Sequence, residues 1–219
     1  MSQGPGPFTR RYNELAGTDL GRLAGISDGI FSVGMTLLVL GLGIQSLRGS
    51  STTEGELWQY VQGLGPRFLV YTLSFMTLGI FWIGQGTQMS QLAKSNRHYA
   101  WIHLAFLFAV TLVPFSTALL ANFWWLKVAL VEYWLNIVLL GFMLLFAVEY
   151  GVRAHLFPSD REREVLRLIR GRVWIAQSFY ALAVALSLVF HTTLVSIAGI
   201  LLIQLNYVLA PRIPFLDRF

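Results

Sequence analysis

The chain contains no cysteine and few charged residues. The missing cysteines among its 219 residues exclude disulfides, thiolate chemistry and cysteine-ligated metals. Charged side chains make up 12% of the sequence, against about 25% in an ordinary soluble domain, while 55% of the residues are hydrophobic. These proportions predict a protein that crosses a lipid bilayer several times.

Ionisable groups are also missing from the middle of the long apolar runs, where a charge costs at least about 2.5 to 3.5 kcal/mol. Asp28, Glu132 and Glu149 all fall near the ends of predicted helices. The four histidines lack ligand spacing, so we predict neither a metal nor a cofactor. For a lipid-modifying enzyme, Ser27 and His98 are conceivable as nucleophile and base, but their spacing does not support that chemistry. We therefore predict that the protein is not an enzyme.

The first apolar run, Gly25 to Ile44, gives twenty residues with one charge, Asp28. At about 1.5 Å per residue it spans the roughly 30 Å hydrocarbon layer. Small, hydroxyl and apolar residues share one arc of about 100° on this helix, and Arg22 continues that arc; its members are Gly25, Gly29, Ser32, Val33, Thr36 and Leu40. Because lipid does not select glycine and hydroxyl groups at regular spacing, we expect the arc to face protein or a pore.

The remaining apolar runs predict an all-α membrane domain at 22–211 between tails at 1–21 and 212–219. Its six spans are placed at about 22–44, 66–84, 101–121, 128–149, 173–190 and 194–210. Pro114 should kink the third span, because proline removes a backbone hydrogen bond. We expect a loop at Gln45–Gly65. At 153–172 we expect a short charged helix, started by a capping box of Ser159 and Glu162.

The distribution of basic residues predicts the orientation. Only Arg48, Arg67 and Lys127 fall on one side of the predicted bilayer, and the other lysines and arginines fall on the opposite side. By the positive-inside rule both termini, both tails and segment 153–172 are cytoplasmic. The net charge of +5 lies in short interhelical segments rather than in one stripe with interleaved aromatics, so we do not expect nucleic acid as a partner.

Two motifs resemble a known family. Arg22 followed by Ser27-Asp28 and an apolar run resembles the R-x-x-x-F-S-D signature of the transmembrane-protein-175 family of potassium channels, with Ile26 in place of phenylalanine. The stretch LVPFSTALL at 112–120 resembles that family's L-P-F-x-T-x-L-L segment, and the length is typical of single-repeat prokaryotic members. After the tryptophan matched by Trp82, the family's histidine pair is replaced here by Gln85-Gly86.

The resemblance implies a homotetramer in the cell membrane, whose first helices line a central pore for K⁺ in the lipid bilayer. It places the pore constriction at Val33, with Thr36 and Leu40 next along the same face and Leu37 at its edge. The signature residues Arg22, Ser27 and Asp28 then take structural or gating roles, and the structural role of Asp28 would be to cap a neighbouring helix or to pair with Arg22. Apolar rings at such a constriction would act as a hydrophobic gate.

One alternative remains open from the sequence. Six spans also suit a secondary transporter of a small cationic or lipophilic solute, in which Asp28, Glu132 or Glu149 would be essential. No internal repeat supports an inverted-repeat architecture.

Overall fold

The computed structural model describes residues 17–42, 53–190 and 192–209, and within these ranges the chain forms helices and no strands. The helices are α1 (Leu20–Leu38, continued by a 3-10 turn at Val39–Leu42), α2 (Glu54–Gly63), α3 (Gly65–Ser90), α4 (Arg97–Thr111), α5 (Val113–Asn122), α6 (Lys127–Arg153), α7 (Glu162–Phe190) and α8 (Thr193–Leu209). The predicted all-α class is confirmed.

Four helical segments are long and apolar enough to cross a membrane, and α8 is a shorter apolar helix. The four segments are Leu20–Leu42, Gly65–Ser90, Arg97–Asn122 and Lys127–Arg153. The fifth and sixth predicted spans fall within α7 and α8, which pack against each other. The count of six spans stays a prediction.

Pro114 interrupts the third segment, as predicted. The segment divides into α4 and α5 at Leu112, and Pro114 lies in the first turn of α5. Proline has no N–H to donate to the carbonyl of Val110, so the helix cannot continue undisturbed through this point.

The predicted loop at Gln45–Gly65 is wrong for its second half, which forms α2. Thr53 begins this helix with a capping box: its hydroxyl accepts from the Glu56 backbone N–H at 3.3 Å, and its own backbone N–H donates to the Glu56 carboxylate at 2.8 Å. Residues 45–52 of the predicted loop lie outside the described residues. The T-x-x-E spacing predicts this helix start, although the segment is too polar for a span.

The charged segment at 153–172 also differs from its prediction. Instead of a separate short helix, one continuous helix, α7, runs from Glu162 into the predicted fifth span, and no proline lies between them. The Glu162 carboxylate lies 3.1 Å from His155 Nδ1, and Ser159 lies in the turn before α7. The predicted Ser159 capping box is therefore wrong.

The main core lies where α1, α3, α4, α5 and α6 meet, with α7 packed on α6 and α8 packed on α7 and α3. A second apolar cluster closes the end of the bundle where α3 passes into α4. Leu156 and Phe157, which belong to the charged segment at 153–172, are buried in this cluster. The Leu156 carbonyl accepts from the backbone N–H groups of Ala93 and Lys94, at 2.9 and 3.3 Å. Two interhelical connections are thereby joined.

The contact between α6 and α7 depends on a glycine. Gln177 Nε2 of α7 donates to the Ile137 carbonyl of α6 at 3.1 Å. A Cβ atom at Gly141, one turn further along α6, would lie only 2.0 Å from that same nitrogen. The glutamine therefore reaches the α6 backbone only because position 141 has no side chain.

Candidate ion pathway

One face of α1 is packed into the bundle. Ser27, Phe31, Gly34 and Leu38 are buried on this face, and α1 packs against α3, α4 and α5. A Cβ at Gly34 would lie 3.6 Å from Leu78 of α3, which is ordinary van der Waals contact. This face fixes the position of α1 in the protomer.

The other face of α1 is exposed and carries every residue of the predicted arc. The exposed residues are Arg22, Gly25, Gly29, Ser32, Val33, Thr36 and Leu40. Val33 and Leu40 are 57% and 71% exposed, and Leu37, at the edge, is 45% exposed. A Cβ at Gly25 or Gly29 would meet no atom within 4 Å. Within the described part of a single chain, therefore, the face predicted to meet protein or a pore has no covering.

Thr36 lies between Val33 and Leu40 along this exposed face. Its hydroxyl donates to the Val33 carbonyl of its own helix at 2.8 Å. Because a hydroxyl has one hydrogen and two lone pairs, this bond leaves oxygen lone pairs available on the exposed side. Thr36 can therefore offer an acceptor to a cation while its own donor is satisfied.

Ser27 anchors α1 to α4 through His103. The two side chains are almost fully buried, and Ser27 Oγ lies 2.7 Å from His103 Nε2. Ser27 gives its single hydrogen to the Leu23 carbonyl at 2.9 Å, so His103 must be the donor in the interhelical bond. A histidine that donates to the serine cannot act as its base, and this burial leaves no room for a substrate. His98 instead packs near Tyr150, with ring centroids 6.4 Å apart.

Asp28 is held by α3 rather than by its own helix. The Trp82 indole N–H donates to Asp28 Oδ1 at 2.8 Å. An ion pair with Arg22 is one of the two roles considered for Asp28. Among the described residues no such pair is present. A separation of six residues turns the helix by about 600°, so the two side chains lie on different faces. The backbone N–H of Arg22 donates to the N-cap carboxylate of Asp19 at 3.0 Å.

A cleft of about 330 Å³ lies beside Asp28, between α1 and α3. Gln85 and Gly86, which replace the family's histidine pair, contribute to its lining. A Cβ at Gly86 would meet nothing within 4 Å, and the buried Gln85 amide is turned towards Met89. The replacement therefore leaves open space at position 86, whereas the side chain at position 85 is buried.

Sequence reasoning missed a buried hydrogen-bond network behind α1. Thr117 Oγ1 of α5 lies 2.8 Å from Ser74 Oγ of α3, and Ser74 Oγ lies 3.2 Å from the Tyr133 hydroxyl of α6. Tyr133 Oη lies 3.0 Å from Thr77 Oγ1, which also accepts from Gln204 of α8 at 2.6 Å. Interhelical hydrogen bonds of this kind contribute about 0.6 kcal/mol each on average. The sequence signal that could have indicated this network is Gln204, a polar side chain within an apolar helix.

The fold and the exposed face of α1 define an α-helical protein of the membrane, in which one helix keeps small and hydroxyl residues away from the protomer core. Residues 22–114 match the model of a family described as the endosomal/lysosomal potassium channel TMEM175. This match confirms the resemblance predicted from the two motifs. It runs from the start of α1 to the Pro114 break, so most of α5 to α8 lies beyond it.

Curated relatives and a solved structure agree with the family match. A protein of Streptomyces collinus named a potassium channel is 32% identical over 103 residues, 47% of this chain and 48% of that protein. A second potassium channel, from a Chryseobacterium species, is 34% identical over 97 residues, covering 44% of this chain and 46% of its own. The matches thus span about half the length of these relatives.

One similar solved structure is the crystal structure of a lysosomal potassium-selective channel TMEM175 homolog from Chamaesiphon minutus. It superposes with a TM-score of 0.72 over 87% of this chain and 97% of that one, at 22% identity. This likeness extends the shared fold beyond residue 114 to nearly the whole molecule.

Proposed function

We propose that the protein is a potassium-permeable cation channel, which conducts passively along the exposed face of α1. The observation that carries this proposal is the composition of that face. Gly25, Gly29 and Thr36 point away from the protomer core on an apolar helix long enough to span a bilayer. The family match and the names of the relatives support K⁺ as the permeant ion.

The proposed pore needs several copies of α1 around one axis, and we assign it four. A homotetramer would cover the exposed face, since a small-residue stripe allows helices to approach closely. Val33 would then form the narrowest ring, followed by Thr36 and Leu40, with Leu37 at the edge. Apolar rings exclude ions from a narrow pore by dewetting, whereas the Thr36 hydroxyls would replace part of the ion's hydration shell.

The signature residues hold this helix in register. Ser27 is bonded to His103 of α4 and Asp28 to Trp82 of α3, so both neighbours set the rotation of α1. Exposed Arg22 begins the same face at the end opposite Leu40. A shift of α3 or α4 would therefore turn the lining face, which gives these residues a gating role.

The proposed topology has six spans in the plasma membrane, with both termini in the cytoplasm. The distribution of lysine and arginine supports it. The N-terminal segment 1–16 and the C-terminal segment 210–219 lie outside the described residues.

Potassium flux into liposomes tests the proposal. The purified protein is compared with Val33→Ala, which widens the constriction, and with Val131→Ala, a matched change at an exposed valine of α6. Removal of about 1.4 kcal/mol from the permeation barrier raises the flux about tenfold. We expect Val33→Ala to raise flux, Val131→Ala to leave it unchanged, and no requirement for a sodium or proton gradient. Flux that needs a coupling gradient, or that ignores Val33, would refute the proposal.

One observation favours the transporter alternative. Glu132 of α6 has a carboxylate oxygen, Oε2, that is buried and has no hydrogen-bond partner in the described part of the chain. Glu149, by contrast, pairs with Arg153 at 3.3 Å. A coupled transporter would lose transport in Glu132→Gln, whereas a passive channel would keep its flux in the same assay.

A further inference from the structure

A second cleft lies at the end of the bundle where α3 begins. Its volume is about 270 Å³, and residues of α2, the start of α3 and the α5–α6 connection line it. The lining combines the guanidinium of Arg67 with the amide of Asn122 and the aromatic side chains of Tyr60, Trp124 and Trp125. The cleft is separate from the exposed face of α1, so its role does not depend on the proposed function.

The charge of this cleft is positive. Arg67 is partly buried, and no carboxylate of the described residues lies within ion-pairing distance of it. Arg67 also lies in the first turn of α3, where no side chain caps the helix. The N-terminal end of a helix carries about half a positive charge that attracts anions, although Pro66 in this turn has no N–H to donate. An anion in the cleft would meet both sources of positive potential.

The aromatic residues place the cleft at the depth of lipid headgroups. Trp124 and Trp125 meet edge to face with ring centroids 5.7 Å apart, and Trp125 is 57% exposed. The Thr193 hydroxyl of α8 donates to the Trp124 carbonyl, which fixes this connection to the bundle. Tryptophan and tyrosine concentrate at the membrane interface, and α3 is one of the membrane-spanning candidates that start here.

We propose that this cleft binds the phosphate group of a phospholipid. The planar guanidinium of Arg67 matches phosphate geometry with two parallel hydrogen bonds, and Asn122 adds a further polar group. Phe68, the next residue along α3, is 58% exposed and gives the attached acyl chains an apolar surface. The phosphate thus lies at the start of α3 and the chains extend along the outside of the bundle.

Native mass spectrometry of the full-length protein in detergent micelles tests the proposal. The probe is phosphatidylglycerol, titrated against the unmodified protein, Arg67→Gln and Lys127→Gln. The last variant removes an equal charge at the start of α6, outside the cleft lining. We expect Arg67→Gln to weaken phosphatidylglycerol binding about tenfold, the value of one charged hydrogen-bond pair. Lys127→Gln should bind like the unmodified protein.

Further arms of the experiment separate the possible ligands. Diacylglycerol, which has the same chains without phosphate, should not compete, and inorganic phosphate should compete only weakly. If inorganic phosphate displaced the lipid completely at millimolar concentration, the site would be one for the free ion. If diacylglycerol bound as well as phosphatidylglycerol, the proposal would be overturned.

Arg67→Lys shows whether a loss of binding in Arg67→Gln comes from a folding defect. The lysine keeps the charge but loses the planar fork, so we expect a loss of affinity smaller than that of Arg67→Gln. Equal affinity of the unmodified protein and both Arg67 variants would overturn the proposal.

Discussion

At the scale of single residues, Thr36 is the clearest example of a side chain whose bonding defines what it can do. Its hydrogen is committed to the Val33 carbonyl, so only oxygen lone pairs remain for a partner on the exposed side. Ser27 is committed in the same way to Leu23, and this fixes His103 as the donor between two helices. Neither assignment follows from sequence spacing, because each requires the position of a hydroxyl hydrogen.

We predict that Thr36→Val lowers the preference for K⁺ over Na⁺ while passive flux persists. Valine has nearly the same shape but offers no oxygen to replace water around the ion. Paired K⁺ and Na⁺ fluxes in liposomes measure the effect.

Thr111→Val is the matched control for this substitution. Thr111 is exposed on α4, and its hydroxyl donates to the Phe108 carbonyl at 2.7 Å, also three residues back. We expect its ratio of K⁺ to Na⁺ flux to equal that of the unmodified protein. An unchanged ratio of K⁺ to Na⁺ flux in Thr36→Val would show that the Thr36 hydroxyl does not contribute to selectivity.

At the scale of the helices, local chemistry decided which elements could be predicted. Pro114 disturbs its helix wherever the rest of the chain lies, and the arc on α1 follows from helical periodicity alone. The polar network behind α1 was missed because Ser74, Tyr133 and Gln204 come from three helices distant in sequence. Only the packed bundle brings their side chains together.

The stability of α2 should depend on pH. Hydrogen bonds from the Thr53 backbone N–H, and then from its hydroxyl, lower the pKa of Glu56 below its ordinary value. The ionised carboxylate therefore stabilises the helix above that ordinary pKa, and the stabilisation is lost as the pH falls through the lowered pKa. Hydrogen exchange of amides 54–63, corrected for the intrinsic exchange rate, should show weaker protection at about pH 3 than at about pH 6.

Two variants separate the cap from general acid effects on α2. Glu56→Gln should abolish most of the pH dependence, whereas Glu54→Gln, a change in the same turn outside the capping box, should retain it. Equal pH dependence in the two variants would show that the capping box is not the cause.

Gly141→Ala should destabilise the contact between α6 and α7. Its Cβ would displace the Gln177 amide and break the bond to the Ile137 carbonyl, at a cost of about 1 to 3 kcal/mol. Thermal unfolding in detergent measures the loss. Gly79→Ala, where a Cβ meets nothing within 4 Å, should unfold no earlier than the unmodified protein, because alanine is the better helix former. Recovery of stability in Gly141→Ala/Gln177→Ala would confirm the clash as the cause, whereas an unchanged melting temperature in Gly141→Ala would contradict it.

At the scale of the whole molecule, a single copy of the chain leaves one face of α1 without packing partners among the described residues. The small and hydroxyl residues of α1 are exposed in a single copy of the chain, and in the proposed assembly neighbouring copies cover them. We predict a mass of four protomers by native mass spectrometry. A purely monomeric protein that still conducts K⁺ would contradict the central pore.

Gly29→Leu should abolish either the tetramer or its flux. A Cβ at Gly29 would meet no atom of the described residues within 4 Å, so we expect the effect to arise between copies. Gly79→Leu makes the same change at an open position of α3 and should conduct normally. Wild-type flux and mass in Gly29→Leu would show that this face is free in the assembly as well.

The 3-10 turn that ends α1 has a geometrical consequence for its far end. A 3-10 helix rises about 2.0 Å per residue and turns about 120°, against about 1.5 Å and 100° in an α-helix. The four residues Val39–Leu42 are therefore about 2 Å longer than the same residues in α geometry, and Leu40 is rotated by about 40°. A change of this segment between 3-10 and α geometry would therefore shift Leu40 along the helix axis and rotate it, while the buried face of α1 stays in place.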